Sequence, residues 1–265
     1  MRVASIQMVV FEKDKQKTLE YAKEKILHLK GVDLVVLPEL WNIGFMSFDR
    51  YVSEAEGKDG PTLKMLIDLA KEINAYIHTG SFVEKEGEKY YNSSYLLSPK
   101  GELLANYRKI HLFGYQSRET EILTRGDEVV VVDTSIGKFG MATCYDLRFP
   151  EMFRAMVDKG AEIFLVCSAW PYPRLEHWLM LNRVRAFENQ CFLVSADSVG
   201  SNEGSLFVGH SMIVDPWGVI MASGGDEEVI LQVEIDLKKV KEARLKFPAL
   251  ADRLYWLNPK IEGKG

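Results

Sequence analysis

Residues 33–39 read Asp33-Leu34-Val35-Val36-Leu37-Pro38-Glu39, and this stretch decides the fold class. An apolar run without alternation makes a strand buried on both faces, as happens where helices cover both sides of a mostly parallel sheet. Pro38 cannot donate to a sheet ladder and ends the strand. Glu39 therefore stands just past the carboxyl end of a buried strand, where open α/β sheets place their ligand crevices.

The chain on either side has the same rhythm. Upstream, Leu19, Ala22, Ile26 and Leu29 recur at helical spacing within residues 14–29, and Gly31 supplies a stop. Downstream, Pro61 opens a helix whose inner face carries Leu63, Leu66, Ala70 and Ile73. Strands follow at 76–83, 91–97 and 103–107, then at 129–132 and 139–143 about Gly137. The pattern resumes with a helix at 150–159, a strand at 162–168, a helix at 174–190 and a strand at 191–196. A hairpin of 208–214 and 219–222 turns at Asp215-Pro-Trp-Gly218, and 229–235 is the last strand. Two similar halves, each with about two helices and several strands, predict one α/β domain of two sheets packed face to face with helices outside.

Composition narrows the function. The 265 residues are 47% apolar and 27% charged, with dispersed charges and a net charge of −5, so no basic stripe is available for nucleic acid. The apolar run at 3–6 is too short for a signal peptide core and no later run approaches a membrane span, which predicts a cytoplasmic protein with no membrane partner. Cys144, Cys167 and Cys191 are an odd set with no CxxC or Cys/His spacing, so no zinc site or redox dithiol is expected, and no cofactor is assigned.

Three reactive side chains share the position noted for Glu39. Lys109 follows the strand at 103–107, and Cys144 follows that at 139–143 and precedes a helix. Helix N-terminal amides and a nearby lysine favour thiolate, whereas a carboxylate within reach serves instead as general base for the thiol proton. In attack on an amide carbonyl, Lys109 and the backbone N–H of Tyr145 are candidate oxyanion donors.

Leu37-Pro-Glu-Leu40, Tyr107-Arg-Lys-Ile-His-Leu-Phe113 and Cys144-Tyr-Asp-Leu-Arg-Phe-Pro-Glu151 resemble, in order and spacing, the Glu, Lys and Cys motifs of the carbon–nitrogen hydrolase (nitrilase) superfamily. The resemblance continues through Trp170-Pro-Tyr-Pro-Arg174, Arg185 to Gln190 and Gly209 to Gly218, and runs from residue 3 to about residue 237. It implies a four-layer αββα sandwich, a homodimer or higher homo-oligomer, and metal-free hydrolysis of a small-molecule amide by water through a cysteine thioester. It implies Glu39, Lys109 and Cys144 as catalytic residues, with a second carboxylate at Glu119 or, because the preceding loop is short, at Glu121. The hydrolase domain is placed at 1–240. Residues 241–265 form a tail whose Phe247-Pro-Ala-Leu250 and Leu254-Tyr-Trp-Leu257 are suited to packing on a partner subunit.

Tyr145-Asp-Leu-Arg148 after the nucleophile, with Trp170 to Arg174 and Glu176-His-Trp178, looks most like the ω-amidase group, which cleaves the terminal amide of α-keto acids such as 2-oxoglutaramate. Such a substrate needs a cation besides Lys109, for which Arg174 is the candidate, and apolar walls, for which Phe45, Tyr145 and Trp170 are candidates. Nitrilase, N-carbamoyl amidohydrolase and deaminated-glutathione amidase activities use the same residues. A silent interaction protein and a thiol peroxide sensor are the alternatives of other classes.

Several residues read as structural. Cys167 and Cys191 sit inside apolar strands. Asp146 and Arg148 read as an ion pair orienting the loop, and His111 as a hydrogen-bonding residue of the fold.

Overall fold

A computed structural model describes residues 1–254. The chain opens with β1 (Arg2–Gln7), α1 (Lys15–Leu27), β2 (Leu34–Val36) and α2 (Pro61–Ile73). Asp14 caps α1 by accepting the N–H of Lys17 at 2.9 Å, and Pro61 starts α2, where its missing N–H costs nothing. Then come β3 (Tyr76–His78), β4 (Phe82–Glu86), β5 (Lys89–Leu97) and β6 (Leu103–Arg108). The predicted single strand at 76–83 is thus two. Gly80 breaks it at φ +64°, in the left-handed region, and a Cβ there would stand 2.0 Å from the carbonyl oxygen of Pro38.

The second half contains α3 (Glu119–Ile122), β7 (Val131–Thr134), β8 (Gly137–Thr143), α4 (Pro150–Asp158), β9 (Ile163–Ser168), α5 (Leu175–Asn189) and β10 (Phe192–Asp197). It closes with β11 (Val199–Asn202), β12 (Ser205–Val208), β13 (Met212–Val214), β14 (Ile220–Ser223), β15 (Val229–Glu234) and α6 (Lys238–Lys246). The predicted strand at 208–214 is also broken. Its first residue ends β12, which pairs with β11 in a hairpin the apolar pattern did not show, and Gly209 and His210 turn the chain at positive φ before β13.

One sheet runs β15-β1-β2-β3-β5-β4, with β6 also on β5, and the other runs β14-β13-β10-β9-β8-β7. Val3, Leu34, Val36 and Leu96 of the first meet Met141, Leu165, Val194 and Ile213 of the second in one core. The opposite face of the first sheet, with Ala4, Ile6, Val35 and Ile77, packs on Leu19, Ala22 and Ile26 of α1 and Leu63 and Leu66 of α2. The four-layer αββα arrangement is thereby realised. It corrects one detail of the opening reading: β2 is apolar on both faces because helices cover one and a second sheet covers the other.

The last helix among the described residues, α6, lies on its own chain. Val240 and Ala243 of α6 are buried, Gln190 donates to the carbonyls of Ala243 and Phe247 at 3.1 and 2.7 Å, and Arg244 donates to that of Ala161 at 2.9 Å. A boundary at residue 240 therefore falls inside a helix. Phe247 and Leu254 are exposed, and residues 255–257 of the apolar tail motif lie outside the described residues.

Candidate active site

The ends of β2, β6, β8 and β9 converge where the two sheets meet. Glu39 lies one turn of chain past β2, and its N–H donates to the carbonyl of Ser168 at 3.1 Å, which ties the first sheet to the second. Lys109 follows β6 directly, its backbone held by the Asn92 carbonyl at 2.9 Å and the Gly126 N–H at 2.8 Å.

All three charged groups are fully buried. The Lys109 Nζ stands 2.8 Å from Oε1 of Glu39 and 3.0 and 2.9 Å from the two oxygens of Glu119. Asn92 completes the group, its Nδ2 donating to Oε1 of Glu39 at 2.8 Å and to Oε1 of Glu119 at 2.9 Å. The remaining carboxylate oxygens are satisfied by backbone: Ala169 N–H donates to Oε2 of Glu39 at 3.0 Å and Phe113 N–H to Oε2 of Glu119 at 2.7 Å. Buried charges persist only when paired and hydrogen-bonded in this way.

Burial would push the Lys109 ammonium down, but Glu119 and Glu39 hold it well above the usual lysine range, so it stays charged. Burial pushes Glu119 up, opposed first by Lys109. Of the two candidates for the second carboxylate, the structure brings Glu119 to Lys109. Glu121 is 65% exposed and pairs with Arg118 at 3.2 Å.

Cys144 follows β8 at the first position of a short 3₁₀ turn, Cys144–Arg148, with φ +47°. A non-glycine residue there is strained, and such strain gathers where a side chain is held for use. Burial and then the Glu39 charge raise the thiol well above its usual range, against weaker opposition from Lys109 and Ser168. Of the two readings left open by the sequence, thiolate activation or transfer of the thiol proton to a carboxylate, this direction favours the second. The resting sulfur is a thiol, because low-dielectric surroundings and a neighbouring carboxylate outweigh the ammonium. The first N–H groups of a helical turn have no partner within it, and Tyr145 is the second residue of this turn, next to Cys144.

A cleft beside Cys144 is lined by Phe45, Tyr145, Trp170 and Arg174, which brings together every residue expected around the substrate. Arg174 precedes α5 and lies 5.6 Å from the Phe113 ring centre. Arg148 also lines the cleft, 5.0 Å from the Trp170 ring centre, with a side-chain nitrogen 3.1 Å from Nδ1 of His177. This corrects the expected Asp146–Arg148 pair. Asp146 instead accepts from Tyr107 Oη at 2.5 Å and Thr143 N–H at 2.8 Å and meets His111 Nδ1 at 2.8 Å. His111, stacked on Phe149 at 3.7 Å, serves the fold as read.

Asn92 and Arg148 were the residues missed. The signal for Asn92 was the polar run Asn92-Ser-Ser94 inside a strand otherwise apolar, which implies inward polar work. Burial holds Cys167 and Cys191 up at about 12, so both remain inert structural thiols. Among the described residues no group of His, Cys, Asp or Glu is arranged to hold a metal ion, and no helix is long and apolar enough to cross a membrane.

The family model for carbon-nitrogen hydrolases matches residues 2–245. The chain is 38% identical over 237 residues to a 2-oxoglutaramate amidase of Bacillus subtilis, covering 89% of this chain and 90% of that protein. It is 37% identical over 229 residues to a 2-oxoglutaramate amidase of Paenarthrobacter nicotinovorans, covering 83% and 78%. A solved structure from Xanthomonas campestris, described as a CN-hydrolase superfamily protein with an arsenic adduct in the active site, superposes with a TM-score of 0.90 at 29% identity, covering 96% of this chain and 97% of that one.

Proposed function

The chain belongs to the carbon–nitrogen hydrolase family and is a hydrolase of non-peptide carbon–nitrogen bonds, and from that premise we propose that it is an ω-amidase-like enzyme cleaving the terminal amide of a small α-keto acid such as 2-oxoglutaramate. The observation that carries the chemistry is the buried Lys109 ammonium clamped between Glu39 and Glu119 beside the Cys144 thiol.

Glu39 takes the Cys144 proton as sulfur attacks the amide carbon, forming the C–S bond. The carbonyl oxygen becomes an oxyanion, met by Lys109 Nζ and the Tyr145 N–H. Collapse breaks the C–N bond, and the proton held by Glu39 passes to nitrogen, releasing ammonia and leaving a thioester. Water then gives a proton to Glu39 and attacks the thioester. Collapse breaks the C–S bond, the proton returns to sulfur, and the carboxylic acid leaves. Glu119 and Asn92 hold Lys109 and Glu39 in register throughout.

Arg174 and Arg148 support the substrate class. Two guanidinium groups among the residues lining the cleft fit the carboxylate next to the keto group, while Phe45, Tyr145 and Trp170 exclude water. Ammonia release from 2-oxoglutaramate, compared with nitrile and N-carbamoyl substrates and with Cys144→Ala as control, tests the reading. Full turnover by Cys144→Ala overturns the mechanism, and a preference for another substrate overturns the class.

Self-association fits the outer surface of α5 and the β13–β14 turn, where Met180, Phe187, Trp217, Val219 and Ile220 are exposed together. A symmetric dimer through this face is the proposed assembly, with exposed Phe247 and Leu254 as a second contact, and light scattering of Met180→Glu tests the face. A reducing cytoplasmic setting suits an enzyme that depends on a free thiol.

A further inference from the structure

Behind the nucleophile lies a buried acid that the mechanism above leaves unused. Asp197 ends β10 and is fully buried. Its Oδ1 accepts the N–H of Trp170 at 2.7 Å, its own N–H donates to Ser211 Oγ at 2.9 Å, and Oδ2 has no hydrogen-bond partner. In the parallel β9–β10 ladder Asp197 is the register partner of Ser168, which puts both side chains on one face of the sheet. The Ser168 hydroxyl, also fully buried, completes a hydrogen bond with no group; register sets Ser168 beside Asp197 and one residue past the Thr143–Cys167 pair, on the side of Cys144, where a hydroxyl favours the ionised form of each.

The same corner of chain carries the rest of the site. The Ser168 carbonyl accepts from the N–H groups of Glu39 and Ser198, the Ala169 N–H holds Glu39 Oε2, and Trp170 walls the cleft. Orphaned buried oxygens on register partners are costly unless they bond to each other, and a chain of such bonds polarises cooperatively. We propose that Ser168 and Asp197 form a relay behind Cys144, in which Asp197, as the neutral acid, donates from Oδ2 to Ser168 Oγ and the Ser168 hydroxyl donates to Cys144 Sγ.

Both are positioning residues, and the proposal rests on Cys144 being the nucleophile. Each oxygen keeps its own proton, while the thiol proton goes to Glu39 as before. As sulfur gains charge the Ser168 donor strengthens its hold, and Asp197 polarises that donor. An ionised Asp197 would reverse the relay: it would turn the Ser168 hydrogen away from sulfur and add a charge facing Glu39. Burial, with the Glu39 charge added to it, keeps the Asp197 carboxyl well above its ordinary range against the Trp170 N–H and the neighbouring Ser168 hydroxyl, as the neutral acid requires.

The test is the pH profile of Cys144 alkylation by iodoacetamide, read on the Cys144 peptide, with kcat and KM alongside. Ser168→Ala, which deletes one atom from a hydroxyl with no other completed bond, should move the alkylation profile up by about one pH unit and lower kcat roughly tenfold with KM nearly unchanged. Asp197→Ala should shift the profile the same way. Asp197→Asn, whose amide donates to Ser168 as the acid does, should rescue it. An unmoved profile in Ser168→Ala overturns the relay, as does an Asn variant that fails as badly as Ala. If Asp197→Ala does not fold, Ser168→Ala and Asp197→Asn decide the matter alone. Cys144→Ala separates the two readings: should it stay active, the nucleophile assignment falls, whereas an inactive Cys144→Ala with an unmoved Ser168→Ala profile sinks only the relay.

Discussion

Asn92 and Lys109 share one acceptor: the Oε1 oxygen of Glu39 receives the Asn92 amide at 2.8 Å and the Lys109 ammonium at 2.8 Å. The Glu39 carboxylate is thus held by two donors through the oxygen that does not face the Ala169 N–H. Asn92→Ala leaves the Glu39 and Glu119 carboxylates each short of one donor in a dry site. Loss of hydrogen bonds to charged groups costs about 1.5–3 kcal/mol apiece. We expect urea melts to show destabilisation of about 3 kcal/mol and kcat to fall roughly ten- to a hundredfold, since small losses of alignment are expensive.

How the site was legible follows from which residues announce themselves. Glu39, Lys109 and Cys144 each stand at a strand end, and apolar runs mark strand ends well. Asn92 sits mid-strand, where only a polar run in an apolar strand points to it, and its partners Glu39 and Glu119, brought from other elements, explain it. Arg148 and Asp146 are two residues apart, and proximity in sequence suggested a pair that the 3₁₀ turn forbids by sending one side chain to Tyr107 and the other to Trp170. The breaks at Gly80 and at Gly209-His210 escaped the strand pattern because periodicity reports burial, not φ. Both breaks serve strand-end corners, the first abutting Pro38 beside Glu39.

Cys144 at φ +47° carries strain that glycine would not feel. Replacing it by Ala and by Gly separates strain from chemistry. Both variants should lose turnover by roughly four orders of magnitude or more. Cys144→Gly should nonetheless melt higher than Cys144→Ala, by about 1 kcal/mol in free energy, although glycine is ordinarily the less stable choice. Equal or reversed melting by calorimetry would show the turn to be relaxed.

Glu119 and Glu121 lie two residues apart with opposite fates, one clamped on Lys109 and one in solvent. Glu119→Gln keeps the shape but removes a charge that stabilises the ammonium. We expect kcat to drop roughly a hundredfold or more, as when one member of an electrostatic group is lost. Glu121→Gln should stay within about twofold, as exposed pairs contribute little.

Arg148 and Arg174 predict a signature in KM. If they receive the substrate carboxylate, removing either guanidinium should raise KM for 2-oxoglutaramate by roughly ten- to a hundredfold, the value of one charged hydrogen bond. An uncharged amide of similar length should be hydrolysed by Arg174→Ala and by wild type with similar KM. Equal losses on both substrates would place the arginines in the fold of the rim and remove them from recognition.

Asp197 makes the protein's stability depend on pH in a direction opposite to most paired acids. Burial raises its carboxyl well above the ordinary 3.8, so the folded state favours the proton that the unfolded chain gives up. The stabilisation is complete below that unfolded value and is lost as pH climbs from about 4 toward the raised folded value, at up to about 1.4 kcal/mol per pH unit. Asp197→Asn has no proton to lose and keeps both its Trp170 acceptor and a donor toward Ser168. Its melting temperature should therefore match the wild type near pH 4 and exceed it increasingly toward pH 8. A gap that is constant with pH, or one that closes as pH rises, would mean that Asp197 is ionised in the folded enzyme.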